Sequence, residues 1–266
     1  MLEHLRKRET RISPHLVAAR PQPSLETTRL RLRPFTPPDA ADVQRLAGDP
    51  AVAATTLTIP HPYPDGAAEA WIATHAPGWV SGRKVVYAVT ASDERLLGAV
   101  GLTLTPAHAS AELGYWIAAD AWGRGYATEA AVALCAYAFD ALGVHRIEAR
   151  HFLHNPASGR VMQKLGMRHE GVLRGAVRKA GQFEDLALYA VLLHDWHAAP
   201  PAVICTSRPS GVLASCVGRC TSSRVRSYSI AAITSPMSPT SRPSMVNARW
   251  GKAAFSRPIP SKMFER

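Results

Sequence analysis

The stretch YWIAADAWGRGYATEAAVALCAYAFDALG, Tyr115 to Gly143, carries an alternating strand into Gly123-Arg124-Gly125 and opens a helix at once. A helix N-terminus exposes unpaired N–H groups and about half a positive charge. Glycines in front of it let the backbone approach an anion and leave those donors uncovered. Gly123, Arg124, Gly125, Tyr126, Ala127 and Thr128 therefore read as a phosphate cradle, with Arg124 as an added cation. A Walker loop would need Gly-Lys-Ser/Thr at fixed spacing, which is absent. A dinucleotide fingerprint would need a third glycine where Thr128 stands, and a buried continuous strand ahead of it. Here the preceding strand alternates and carries Glu112. From this motif alone, a tight strand-to-helix turn accounts for the glycines equally well.

Upstream, RLRLRPF (Arg29–Phe35) alternates as a strand, with Arg31 and Arg33 on its wet side. TPPDAADVQRLAGD has proline ahead, apolar spacing and a glycine stop, the marks of a short helix. GAAEAWIATHAPGWVSG reads as a second helix that ends or kinks near Pro77. VVYAVT, RLLGAVGLTLTP and AELGYWI follow in close order, so a β-meander is expected. Downstream, RIEARHFL is a strand and NPASGRVMQKLG a helix with Asn155 as N-cap, Pro156 first and Gly166 as the stop. MRHEGVLRGAV and DLALYAVLL close the fold as two strands around RKAGQFE. Asp185, at the start of the last strand, either lines the site or caps a turn. The order predicts an α+β fold on a mixed sheet.

The net charge of +11 is unevenly placed: residues 1–24, 25–196 and 197–266 carry +3, −1 and +9. The near-neutral middle gives no footprint for a nucleic-acid backbone. We read 1–24 as a flexible extension, 25–196 as the folded domain, and 197–266 as a Ser/Pro/Arg-rich, disordered tail. The longest apolar run, Ala130–Phe139, is too short to span a bilayer, so no membrane partner is expected. The N-terminus lacks the apolar core of a secretion signal, and the expected location is cytoplasmic. Cys135 reads as a small core residue; Cys205, Cys216 and Cys220 lack metal-ligand spacing, and no metal is expected.

AELGYWIAADAWGRGYATEA followed by HRIEARHFLHNPASGRVMQKLGMRHEGVLR resembles the GCN5-related N-acetyltransferases (GNAT), in their RimJ/RimL-like branch of ribosomal-protein N-terminal acetyltransferases. LETTRLRLRPFTPPDAADV and EDLALYAVL are similar to the same branch, so the resemblance covers about residues 25–196. It implies a mostly antiparallel central sheet flanked by helices, splayed between its fourth and fifth strands, with acetyl-CoA in the cleft. By that resemblance the loop from Gly123 to Thr128 holds the pyrophosphate, with Trp122 where the family usually has Gln or Arg. The backbone near Trp116, Ile117 and Ala118 pairs with the pantetheine arm, and Asn155 and Ser158 match the family's Asn-x-x-Ser.

Acetyl transfer to an amine needs a deprotonated nucleophile and a proton for the leaving thiolate. Glu112, on the strand face shared with Gly114 and Trp116, is the candidate base or the holder of the ammonium group; the plainer reading is a solvated carboxylate. Ser158 heads the stripe Val161, Met162, Leu165, and either contacts coenzyme A and its thiol or bonds the local backbone. Alternation puts Tyr115 opposite Glu112, which favours a core role. The expected activity is acetyl-CoA-dependent transfer, direct from donor to a primary amine, a protein N-terminus or a small molecule such as an antibiotic or polyamine. A homodimer is one expected assembly. The rivals are a catalytically weak coenzyme-A-binding regulatory module and a dinucleotide-dependent oxidoreductase.

Overall fold

The computed structural model describes residues 20–199 and 201. Eight strands form one sheet in the order β1-β2-β3-β4-β5-β6-β8-β7: β1 (Leu25–Glu26), β2 (Leu30–Arg33), β3 (Lys84–Ala91), β4 (Leu96–Thr105), β5 (Ser110–Ile117), β6 (Arg146–Phe152), β7 (Arg168–Lys179) and β8 (Gln182–Leu192). Short connections fold β3 to β5 into the expected antiparallel meander, and β2, fifty residues upstream of β3, pairs antiparallel with it. The chain then crosses over through a long helix, so β6 pairs parallel with β5.

That parallel pairing lasts three residues, Ser110↔Arg146, Ala111↔Ile147 and Glu112↔Glu148. Beyond Glu112 the two strands part, and β6 continues to Phe152 paired only with β8. The sheet is therefore splayed, with Glu112 at the fork. The splay falls between the fourth and fifth strands once the two-residue β1 is set aside. β1 is too short to show a period in the sequence.

Seven helices accompany the sheet among the described residues: α1 (Ala40–Ala47), α2 (Pro50–Thr55), α3 (Ala67–Ala73), α4 (His75–Val80), α5 (Tyr126–Ala141), α6 (Pro156–Lys164) and α7 (Leu193–Ala198). Two apolar cores lie on the two sheet faces. On one, Ala111, Leu113 and Ile117 of β5 meet α5 and α6; on the other, Trp116 meets α1 to α3. Alternation along β5 sorts these residues. α5 is apolar nearly all round because it is buried nearly all round, with Leu134 and Cys135 fully enclosed. Each such side chain contributes roughly 1.5–3 kcal/mol by leaving water.

The structure departs from the sequence reading at four places. The second expected helix is two, breaking at Thr74 instead of near Pro77. Pro77 lies in the first turn of α4, where no N–H partner is required, and its ring would clash with a continuous helix before it. The six-residue α2 is too short for a readable period; Asp49 caps it, accepting from Ala51 N–H at 2.8 Å. α7 carries the folded region past residue 196. Residues 20–24 of the expected extension lie against the fold: Trp79 Nε1 donates to the Arg20 carbonyl (2.7 Å) and Gln22 Nε2 to that of Val86 (2.9 Å). The remaining readings of the two ends, residues 1–19 and 202–266, lie outside the described residues. No described helix is long and apolar enough to cross a membrane.

Candidate active site

The glycine loop opens one side of the splay. Gly123 and Gly125 have φ of 75° and 82°, the left-handed region that side-chain-bearing residues avoid. A Cβ on Gly123 would meet nothing within 4 Å, so backbone conformation alone requires that glycine. A Cβ on Gly125 would come within 3.5 Å of Arg29 Nη2. No side chain caps the first turn of α5. Glu129, the acid at hand, is turned away and buried: its Oε1 accepts from Thr27 Oγ1 (2.6 Å) and Arg29 N–H (3.0 Å), and its Oε2 from Arg29 Nε (2.7 Å). Burial pushes the Glu129 carboxyl up, but the Thr27 hydroxyl and the Arg29 N–H groups outweigh it and hold it below the ordinary carboxylate range. Arg29 also donates to the Arg124 carbonyl (3.0 Å) and lies over the Tyr126 ring at 4.8 Å. This clamp of loop to β2 was not legible, because Arg29 and Glu129 are a hundred residues apart. It ties the glycine loop and the first turn of α5 to the start of β2.

The cleft holds about 340 Å³. Trp122, Gly123 and Gly125 to Thr128 wall one side, and Asn155, Ser158, Arg160 and Lys164 the other; Arg124, expected as an added cation, is not among the lining residues. Arg160 and Lys164, one turn apart on α6, are cations the sequence reading passed over. Of the named strand positions, only Ile117 turns its backbone toward the opening. Ala118 donates its N–H to the Leu97 carbonyl on β4 (2.8 Å), while Ala109 accepts from His145 on the β6 side (2.6 Å). By ladder alternation, the odd residues Leu113, Tyr115 and Ile117 present N–H and C=O groups to the open edge. This corrects the reading for Trp116 and Ala118, whose backbone groups face β4; Trp116 is among the residues lining the cleft and Ala118 is not. The Ile117 carbonyl accepts from Trp122 Nε1 at 2.6 Å.

Asn155 caps α6 as read: its Oδ1 accepts from Ser158 N–H (3.3 Å), and Pro156 follows. Its Nδ2 donates to the Thr55 carbonyl at 3.4 Å. Lys179, from the β7–β8 hairpin, donates to the Ala53 and Thr56 carbonyls. The C-terminus of α2 is thus held over the site by a cation and an amide, as its dipole favours.

Ser158 lies where this cleft meets a second one. Its Oγ is 2.8 Å from the Tyr115 phenol, which also lies 3.2 Å from the Ser158 carbonyl. Tyr115 is on the core side of β5, as alternation requires, yet its hydroxyl reaches the waist of the site, a position the core reading missed. Burial pushes its phenol up to about 12, so at neutral pH it keeps its proton.

The second cavity, about 530 Å³, opens on the other face of β5. Glu112, Gly114 and Trp116 line it together, with Thr55–Ile59 and Trp71 across from them. A Cβ on Gly114 would meet nothing within 4 Å, so this strand residue leaves space beside Glu112. Glu112 is about half exposed; Arg150 Nε stands 3.8 Å from its Oε1, with Arg150 Nη2 held by Glu148 (2.8 Å). His75 is buried against Phe35 and Trp71, with no hydrogen bond at either ring nitrogen among the described residues. Burial, and then the Lys84 charge, push it down to about 4. Asp185 is not part of either cavity: it accepts from Gly175 N–H (2.7 Å) and holds the irregular stretch of β7.

Comparison with known proteins agrees with this geometry. A family model described as an acetyltransferase (GNAT) domain matches residues 29–168. The uncharacterized N-acetyltransferase YoaA of Bacillus subtilis is 32% identical over 172 residues, 64% of this chain and 97% of YoaA. The Escherichia coli enzyme named [ribosomal protein uS5]-alanine N-acetyltransferase is 34% identical over 84 residues, 32% of this chain and 43% of that enzyme. Among solved structures, Mycobacterium smegmatis RimJ in complex with CoA-disulfide superposes with a TM-score of 0.57 at 25% identity, covering 66% of this chain and 92% of RimJ.

Proposed function

The chain belongs to the GNAT acetyltransferase family, and from that premise we propose that it moves an acetyl group from acetyl-CoA directly to a primary amine held in the second cavity. The observation that carries this reading is the splay itself: two cavities on opposite faces of β5 meet at Tyr115 and Ser158, beside the fork occupied by Glu112. The first cleft fits the donor. The uncapped first turn of α5 suits a diphosphate, and the backbone edge left open at Tyr115 and at the Ile117 N–H suits an extended amide arm. Acetyl-CoA, when bound, supplies an acetyl group on a thioester.

The chain's own residues supply the proton handling. Glu112 accepts the proton that the amine must lose, directly or through a water. The amine nitrogen then bonds the acetyl carbon as the carbon–sulfur bond breaks. Ser158 acts on the other side: when the Tyr115 phenol donates to Ser158 Oγ, the serine hydroxyl is free to hydrogen-bond the departing thiolate, which takes its proton from water. Tyr115 in turn keeps Ser158 oriented.

The test is acetyl-CoA turnover followed by thiol release, against peptides with varied N-termini, amino acids, polyamines and antibiotic amines. Glu112→Gln is expected to lower kcat by roughly 10²-fold or more, as loss of a general base does, with acetyl-CoA affinity nearly unchanged. Unchanged turnover would remove Glu112 as the base.

A further inference from the structure

Resting on that acetyl-transfer reading, we infer that Lys84, placed across the sheet from Glu112, makes the acceptor cavity select a primary amine that carries an anionic group, and reject polyamines. The charged side chains lining the cavity are Lys84, Glu112 and Arg150. Cations therefore outnumber acids, and Glu112 alone can receive an ammonium group.

Register sets their spacing. Lys84 pairs with Thr103 and Thr103 with Glu112, so the three form one row across β3, β4 and β5 on a single sheet face. Two strand spacings, about 10 Å, separate the backbones at the ends of that row. The stem of Lys84 is held against α4: a Cβ at Gly78 would fall 2.7–3.4 Å from its Cβ, Cγ and Cδ. The neighbouring His75 is buried and adds no counter-charge. Arg150 is already engaged by Glu148 and faces Glu112. Of the two cations, Lys84 makes no ion pair among the described residues.

An amine docked at Glu112 and extending along the row thus ends at an ammonium. The second charge of a polyamine would meet the like charge of Lys84 or Arg150 and be repelled by it. A carboxylate in the same place pairs with Lys84. An extended peptide covers about 10 Å in three residues, so an acidic third residue has the right reach. A small amino acid with a distal carboxylate offers the same chemistry.

The experiment compares kcat/KM for three peptides identical except for Glu, Gln or Lys at position three, an amino dicarboxylic acid, and a polyamine. The glutamate peptide is expected to exceed the lysine peptide by at least about tenfold, and the polyamine to fall below the glutamine peptide. Lys84→Met should flatten the ranking and Lys84→Glu invert it. Acetyl-CoA affinity by calorimetry checks that each variant is folded. An amino dicarboxylic acid ahead of every peptide would support the inference with a small-molecule acceptor. A polyamine as best acceptor, or a ranking that Lys84→Glu leaves in place, would overturn it while leaving acetyl transfer standing. No transfer to any acceptor would sink the acetyl-transfer reading and this inference with it.

Discussion

The two cavities that meet at Ser158 are built from different material. The cleft proposed for the donor is mostly backbone: left-handed glycines at 123 and 125, an uncapped helix turn, and the unpaired edge of β5. The cavity proposed for the acceptor is mostly side chains, drawn from β3, β4, β5, β6 and the segment after α2. Backbone geometry admits few residue types, so the donor side leaves punctuation in the sequence. A side-chain wall needs only the right charge and volume, and its members are joined by register over long separations. Lys84 and Glu112 become neighbours in a row only when β3, β4 and β5 pair.

This contrast can be broken experimentally. After Glu112→Gln, Gly125→Glu should have the largest effect, on the donor side alone. It forces a side chain into a φ of 82°, runs it toward Arg29 and sets an anion where an anion should bind. Acetyl-CoA affinity should fall by at least about tenfold, in keeping with a strain of about 1–3 kcal/mol plus charge repulsion. Calorimetry showing equal affinity would refute a backbone cradle.

A smaller effect is expected at the waist. Ser158→Ala should lower kcat by roughly tenfold, because a hydrogen-bond donor is lost but water can replace it. Tyr115→Phe should lower it less, since it removes only the orienting partner. Thiol-release kinetics with donor and acceptor varied separately would show both as kcat effects. A change confined to acetyl-CoA affinity would instead put Ser158 wholly on the donor side.

The smallest effect at neutral pH concerns the acceptor wall. Folded His75 is pushed down to about 4, whereas its ordinary value is 6.5, so below pH 6.5 the unfolded chain binds more protons there. Stability is therefore lost as pH falls from about 6.5 toward 4. His75→Phe should remove this loss, on the order of 3 kcal/mol by pH 4. Melting temperature measured against pH checks it; parallel curves for the two proteins would mean the imidazole is not held neutral.

How far the sequence could be read follows the same division. The β-meander, α5, the Asn155-Pro156 helix start and the glycine loop are local features, each decided by a few adjacent residues, and they were legible. The clamp of Glu129 on Arg29 and Thr27 was not, although each residue was in plain view, because nothing local joins them. Tyr115 was half legible: alternation put its ring on the core face, but only the packing of α6 against β5 brings its hydroxyl to Ser158.

By itself, then, the sequence determined where strands and helices alternate, where the backbone must take left-handed turns, and which helix starts without a side-chain cap. These follow from steric limits and hydrogen-bond requirements acting over a few residues. Only the tertiary structure decided that β5 and β6 part after Glu112, that Tyr115 and Ser158 share the waist, and that Lys84 stands in line with Glu112. Those depend on strand register and on helices packing across the sheet, long-range contacts whose energies belong to pairs of distant residues and to no single stretch of chain.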